Sequence, residues 1–238
     1  MFRHKGKNRT YIHNLRLASL LSFVAGIVNI AGVLSLKTLT TNVTGHFAFF
    51  SEELINENYR NAFLFLIFIL SFLSGAFVSN LLVEMVIRIK PRIAHAAPMI
   101  IETGILCFVA ALVIRPDQLV SCLLLFSMGL QNSLVTKVSD SVVRTTHLTG
   151  LFTDLGIELS QLFFFRQADE LKKLRNSISL RLVIITFFFS GCIIGGYLFK
   201  AIQLKVLLLA AVCLLVALFY DTIRYRFYRL KRKVNFRK

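Results

Sequence analysis

The stretch AFLFLIFILSFLSGAFVSNLLVEM, residues 62–85, decides the fold, because it carries one charged side chain, Glu84, close to its end. An apolar helix of about 20 residues spans the hydrocarbon core of a bilayer, which is about 30 Å thick. Five further apolar runs have similar lengths, although some are slightly short: residues 15–36, 97–114, 118–136, 179–199 and 204–221. The sequence therefore predicts about six membrane-spanning helices.

The composition of the whole chain points the same way. Of its 238 residues, 56% are hydrophobic and 17% are charged, and the mean hydropathy is +0.69. Soluble domains average about 45–50% apolar and about 25% charged residues. We therefore expect an all-α integral membrane protein. All four cysteines lie inside apolar runs without CxxC spacing, so we expect no metal site, no cofactor and no disulfide framework.

The basic residues predict how the chain is oriented. The formal net charge of +16 raises the possibility of nucleic-acid binding, but the charges lie between and outside the apolar runs. With the N-terminus in the cytoplasm, all but five of the 28 Lys and Arg residues fall on the inner side. The five exceptions are Lys37, Arg60, Arg115, Lys200 and Lys205. This positive-inside bias predicts that both termini are cytoplasmic, and we expect no nucleic-acid partner.

The C-terminal tail RYRFYRLKRKVNFRK, residues 224–238, interleaves aromatic and basic residues. Such a pattern binds nucleic acid in some proteins, by stacking and charge. Directly after a span, we favour an interfacial anchor instead, since tyrosine rings sit at headgroup depth and basic residues attract anionic lipid. The bilayer and its anionic headgroups are therefore the predicted partners, and homo-oligomerisation stays open.

The sequence contains a weak internal repeat. Three pairs of segments match: FVAGIVN (23–29) with FSMGLQN (126–132), TTNVTGHF (40–47) with TTHLTGLF (145–152), and SGAFVS (74–79) with SGCIIG (190–195). They divide the chain into residues 1–114 and 115–222, each with three spans, followed by the tail 223–238. An odd number of spans per half makes the two repeats inverted, a common construction in secondary transporters. The alternative is a duplication kept for helix packing alone.

Each TTxxTG segment follows the first span of its half and runs into a short helical pattern, residues 44–56 and 149–165. We expect each short helix to be re-entrant or interfacial, since non-helical backbone at membrane depth is tolerated only when buried in protein or facing water. Its N-terminus would present free N–H groups to an anionic or hydroxyl-bearing solute. The alternative is two surface loops with ordinary capping threonines.

Two sets of candidate residues follow from these patterns. The candidate substrate-binding residues are Asn29, Thr41, Asn42, Thr44, Gly45, His46, Gln131, Asn132, Thr146, His147, Thr149 and Gly150. The candidate proton carriers are Glu102, inside an apolar run, and Asp154. Asp154 and Glu158 lie four residues apart, and the alternative is that they form a solvated helix face.

These motifs resemble the YoaK-like family of uncharacterised bacterial multi-pass membrane proteins, over residues 17–220. The matching positions are Gly26, Asn29, Thr44, Gly45, His46, Met128, Gly129, Gln131, Asn132, Arg144, Thr145, Thr146, Thr149 and Gly150. The family often has Asp at position 29 and Asn at position 46, so we do not expect a charge-dependent role for Asn29. The resemblance implies a bacterial cytoplasmic membrane and supplies no substrate.

The function predicted from the repeat is small-solute transport or export, with the site at the repeat interface near the two TTxxTG turns. The alternatives are a channel-like pore and a non-transporting scaffold or sensor. An enzyme is not expected, because the chain has no G-x-S-x-G, H-E-x-x-H or P-loop motif.

Overall fold

A computed structural model describes residues 11–90, 93–112, 117–139 and 141–219, which contain helices and no strands. The helices are α1 (Tyr11–Leu36), α2 (Val43–Ile55), α3 (Tyr59–Ile89), α4 (Ala96–Ala111), α5 (Asp117–Ser139), α6 (Leu148–Gln161) and α7 (Ala168–Ile202). A short 3-10 turn, Gln203–Val206, joins α7 to a last helix, α8, at residues 207–219. The all-helical prediction is confirmed, whereas the tail and its predicted anchor lie outside the described residues.

Four helical stretches are long and apolar enough to cross a membrane, by length and composition, among the residues described. They are α1, α3, α5 and the stretch Ala168–Phe219, which includes both α7 and α8. Within that stretch Gln203 has a φ of 51°, and this left-handed residue ends α7. Helix α4 is a shorter apolar helix of 16 residues.

The long helices pack as two pairs, α1 with α7 and α3 with α5. In the first pair Gly191 lies against Gly26, and Gly195 lies against Ile27 and Ile30, so both residue numbers rise in the same direction. In the second pair Gly75 lies against Phe126, and further along Glu84 forms an ion pair of 2.6 Å with Lys137. Both pairs are therefore parallel. The pairs meet where α1 contacts α5.

Within each pair, glycines allow the two helices to cross with their backbones in contact. A Cβ atom added to any of four glycines would overlap a backbone carbonyl oxygen of the facing helix: Gly26 that of Phe188, Gly191 that of Phe23, Gly129 that of Phe72, and Gly75 that of Phe126. Only a residue without a side chain fits such contacts, which are typical of closely packed membrane helices. The four positions all lie in the repeated segments, so the two crossings are built from matching residues.

Candidate functional site

The first elbow, residues 37–42, connects α1 to α2 and is tied to the helices around it. Its chain turns at Lys37, which has a φ of 54°. The hydroxyl groups of Thr41 and Thr40 donate hydrogen bonds to Asn29 Oδ1 at 3.1 and 3.5 Å. Thr38 Oγ1 shares a hydrogen bond of 3.0 Å with Ser121 Oγ on α5. The elbow is thus fastened to both α1 and α5.

Helix α2 starts directly after this elbow with a satisfied cap. Asn42 Oδ1 accepts a hydrogen bond of 3.0 Å from the backbone N–H of Gly45, which satisfies one of the free donors at the helix start. His46 is 1% exposed, and its Nε2 lies 2.8 Å from the carbonyl oxygen of Leu39. Burial lowers the pKa of this imidazole, against a smaller opposite effect of the Leu39 hydrogen bond. A neutral ring that donates through Nε2 fits this setting.

The second elbow, residues 141–147, connects α5 to α6 and lacks the corresponding side-chain bonds. Thr145 is fully buried, and its hydroxyl has no hydrogen-bond partner among the described residues. The side-chain oxygen of Asn132 is also buried there without a partner. A different contact shapes this elbow, since the Ser139 hydroxyl accepts a hydrogen bond of 3.0 Å from the backbone N–H of Val143. The sequence match between the two elbows is therefore not a match in hydrogen bonding.

A cavity of about 380 Å³ opens beside the second elbow, between α6 and α7. It is lined by Ser141, Val142, Arg144, His147, Gly150, Leu151, Asp154, Ser177, Leu180, Arg181 and Ile184. Pockets for small molecules have volumes of roughly 300–1,000 Å³ and combine apolar walls with a few polar groups. This cavity has that size and that mixture.

Arg181 anchors the polar wall of this cavity by joining α6 to α7. Its guanidinium donates to Asp154 Oδ2 at 2.8 Å, and to Glu158 Oε2 and Oε1 at 2.8 and 2.9 Å. Ser177 Oγ donates to Glu158 at 2.6 Å. The Asp154–Glu158 face, for which a solvated surface was the alternative, is paired with Arg181 across the helix interface, and the Asp154 side chain is also half exposed to solvent.

Two groups of the cavity lining can therefore act on a solute. Arg144 and His147 are exposed, and neither forms an ion pair within the part of the chain described. They line a cavity in which the other charged side chains of the described lining, Asp154 and Arg181, are paired with each other. An anionic or strongly polar group on a solute suits this arrangement, since a guanidinium binds carboxylate and phosphate groups in a bidentate manner.

Two further polar residues are buried in the interior. The Gln131 side chain donates from Nε2 to the carbonyl oxygen of Leu21 at 2.8 Å, which links α5 to α1, and its Oε1 has no partner among the described residues. Glu102 on α4 is fully buried, and neither carboxyl oxygen has a partner there. Burying a polar group without a hydrogen-bond partner costs free energy, so Gln131 and Glu102 remain candidates for a functional role.

Comparison with known proteins now identifies the family. Residues 17–220 match the model of a family described as a protein of unknown function, DUF1275. The chain belongs to this family. It is also 27% identical over 184 residues to the UPF0700 transmembrane protein YoaK of Bacillus subtilis (strain 168), an alignment that covers 75% of this chain and 81% of that protein. No solved structure matches it. The expected YoaK-like resemblance is confirmed, and the chain is a bacterial multi-pass membrane protein.

In this family member the predicted residues fall into separate groups. Asn29 and Thr41 meet at the first elbow, and Asn42, Gly45 and His46 shape the start of α2. Each short helix packs on the long helix after it, α2 on α3 and α6 on α7.

Three of the predicted residues line the cavity, namely His147, Gly150 and Asp154. Of the predicted residues at the second elbow and on α6, Thr149 is exposed and Thr146 is buried. The candidate set omitted Ser177 and Arg181, and it omitted Arg144 although that residue was part of the family motif. Two signals in the sequence were available for Arg181. It is a lone cation near the start of an apolar run, and two carboxylates, Asp154 and Glu158, lie one helical turn apart earlier in the chain.

Proposed function

We propose that the protein is a small-solute transporter of the bacterial inner membrane that works by alternating access. In this proposal six helices, α1, α3, α4, α5, α7 and α8, span the bilayer as two inverted repeats, with both termini in the cytoplasm. The matching glycine crossings and the positive-inside charge bias support this arrangement. Each TTxxTG element is a re-entrant or interfacial helix on one face of the membrane. The proposal assigns no enzymatic activity.

The observation that carries the proposal is a difference in hydrogen bonding between two elbows that share a Thr-Thr pair and lead into matching TTxxTG helices. At the first elbow Thr41 is bonded to Asn29. Among the described residues, the side-chain oxygens of Asn132, the equivalent of Asn29 on α5, and of Thr145 in the second elbow have no partner. A cavity lies beside the second elbow. In alternating access one gate is closed while the other is open, so a bonded elbow and an unbonded elbow correspond to one state of the cycle.

In the proposed orientation, which the positive-inside charge bias supports, the second elbow lies on the cytoplasmic side and this state faces inward. We propose that the solute enters the cavity and places a polar or anionic group against Arg144 and His147. Glu102 and Asp154 are the candidate proton carriers. Glu102 is buried without a partner among the described residues, whereas protonation of Asp154 would release its ion pair with Arg181.

Cross-linking of each elbow tests the alternation without knowledge of the substrate. The native cysteines Cys107, Cys122, Cys192 and Cys213 are first replaced by serine. The pair Asn29→Cys with Thr41→Cys then reports on the first elbow, and the matched pair Asn132→Cys with Thr146→Cys reports on the second. We expect fast disulfide formation at the first elbow and slow formation at the second, because among the described residues only the first pair is joined by a side-chain hydrogen bond.

The disulfide cross-link at the second elbow should also close the cavity. We expect a cysteine introduced at Val142, which lines the cavity and is 54% exposed, to lose its reaction with a water-soluble maleimide once that elbow is cross-linked. Equal cross-linking rates at the two elbows, with no change at Val142, would rule out alternation.

Flux measurements distinguish the transporter from its alternatives. Proteoliposomes loaded with a mixture of small metabolites should show saturable exchange, detected by mass spectrometry. That exchange should disappear when Gly45 and Gly150 are both replaced by valine, because added side chains there meet Asn42 and His147. Flux that rises linearly with concentration would indicate a channel-like pore. No flux for any solute would favour the scaffold or sensor.

A further inference from the structure

We propose that the turn after α6 and the first two turns of α7 form a docking surface for anionic lipid headgroups. This surface, which we call the lipid-facing corner, consists of residues 162–176. It does not depend on transport, and it is separate from the basic tail. Its first component is a pair of aromatic rings, since Phe163 and Phe164 are 81% and 78% exposed. Exposing two adjacent phenylalanine rings to water costs free energy, and this cost disappears if the rings enter the boundary between the lipid headgroups and the acyl chains.

The second component is a basic groove of about 360 Å³ on α7, lined by Ala168, Leu171, Lys172, Arg175 and Asn176. Lys172 and Arg175 are three residues apart, so they lie on one helix face. Among the described residues that line the groove none is acidic, although Asp169 and Glu170 belong to the same helix turn. The groove therefore offers two cations and one amide to an anion.

The neighbourhood of these two components favours a membrane over a soluble partner. The aromatic turn is followed directly by Arg166 and then, after Asp169 and Glu170, by the cations of the groove, so a ring cluster and a cation cluster adjoin along one short segment. Apolar rings flanked by basic side chains next to a spanning helix are typical of the interface between hydrocarbon and headgroups. The charge bias assigns this segment to the cytoplasmic leaflet, whose anionic lipids attract basic side chains.

The absence of tryptophan from the chain allows a direct test. The variant Phe164→Trp places a single indole in the aromatic turn, and Phe77→Trp provides a matched control on an exposed apolar position of α3. Both full-length variants are reconstituted in vesicles of phosphatidylcholine with phosphatidylglycerol, in which one lipid at a time carries bromine on its acyl chain. We expect brominated lipid to quench both indoles, and aqueous iodide to quench neither strongly. Quenching of the Phe164→Trp indole by iodide and not by brominated lipid would overturn the insertion.

A second comparison tests the headgroup preference. With Phe164→Trp, brominated phosphatidylglycerol should quench more strongly than brominated phosphatidylcholine at equal content, because the groove enriches the anionic lipid locally. The additional changes Lys172→Gln and Arg175→Gln should each lower the local enrichment of phosphatidylglycerol about fivefold, and together they should remove the preference. The Phe77→Trp control should respond equally to both lipids in either background. Equal quenching of the Phe164→Trp indole by the two lipids would overturn the role of the groove.

Discussion

The corner between α2 and α3 and the corner between α6 and α7 occupy matching places in the two halves, yet different chemistry holds them. At the first corner the ring of Phe65 lies 5.4 Å from that of Phe49 and 6.1 Å from that of His46. At the second corner Arg181 pairs with Asp154. Asp154 follows Phe49 by 105 residues, as Thr145 follows Thr40, and Arg181 follows Phe65 by 116 residues, as Ser190 follows Ser74. An aromatic pair has thus been replaced by an ion pair at equivalent positions.

The same comparison at the helix crossings gives the opposite result, because there both halves retain glycine. Where one backbone touches another, only a missing side chain fits, so both copies of the repeat are constrained to the same residue. Where side chains meet, many complementary pairs give similar stability, and the two copies can diverge. The charge bias then explains the direction of divergence, since the charged corner lies on the proposed cytoplasmic side.

Substitutions at the two helix crossings should cause the largest losses of stability, and the losses should be similar in the two halves. We expect Gly26→Ala and Gly129→Ala each to lower the free energy of unfolding by about 3 kcal/mol or more, because the new methyl group overlaps a carbonyl oxygen that cannot move freely. Gly104→Ala and Gly156→Ala are matched controls, since an added Cβ there meets nothing within 4 Å. The controls should be unchanged or slightly more stable, by about 0.5–1 kcal/mol. Thermal unfolding in detergent measures all four, and a stable Gly26→Ala protein would contradict the close crossing.

The ionic corner should show the next largest effect. Arg181→Met leaves Asp154 and Glu158 without their shared partner, and we expect a loss of about 2 kcal/mol, typical of hydrogen bonds to charged groups. High salt should reduce the difference between Arg181→Met and the unmodified protein, because the pairs are partly exposed and are screened. Lys137→Met is a suitable control, because it breaks the more exposed pair with Glu84 and should cost less than about 1 kcal/mol. Equal losses for the two variants would mean that the Arg181 ion pairs stabilise the protein no more than an ordinary surface ion pair does.

The aromatic corner should respond less strongly and without salt dependence. Phe65→Leu keeps an apolar side chain but removes the ring contacts with His46, Phe49 and Phe68, which are worth about 0.5–1.5 kcal/mol per pair. We expect a total loss of about 1.5 kcal/mol, the lower end of the sum over the three pairs because leucine keeps apolar contacts, and the same loss at low and high salt in detergent unfolding experiments. A salt-dependent loss at Phe65 would remove the distinction between the two corners.

Much of the fold was predictable because apolar runs report directly on burial and lipid contact. The predicted end of the first run at Leu36 coincides with the end of α1. The largest difference is at α7, which begins at Ala168, although the apolar run was predicted from residue 179. The first turns of α7 contain Asp169, Glu170 and several cations, so their helicity leaves no hydropathy signal. Helix α6 ends at Gln161, although the predicted helical pattern continued through the phenylalanines to residue 165.

The candidate site was predictable only in part, for a physical reason. Asn29 and Thr41 were each identified from the repeat, and the structure joins them. The sequence alone does not distinguish this bonded pair from Asn132, whose side-chain oxygen has no partner among the described residues, because each asparagine is followed by the same Thr-Thr pair of a TTxxTG segment. The role of Arg181 depends on a contact across 27 residues with Asp154, and no local pattern encodes such a distance.

The smallest expected difference between the halves lies at the starts of the two short helices, where the residue at the cap position differs. Asn42 caps α2 through its side chain, whereas His147, at the equivalent position, makes no side-chain cap bond to α6. We expect Asn42→Ala to cost about 0.5–1 kcal/mol and His147→Ala to cost almost nothing in stability. Since His147 also lines the cavity, His147→Ala should instead change solute affinity in the exchange assay. Loss of stability without a change in exchange at position 147 would mean that the histidine serves the helix and not the cavity.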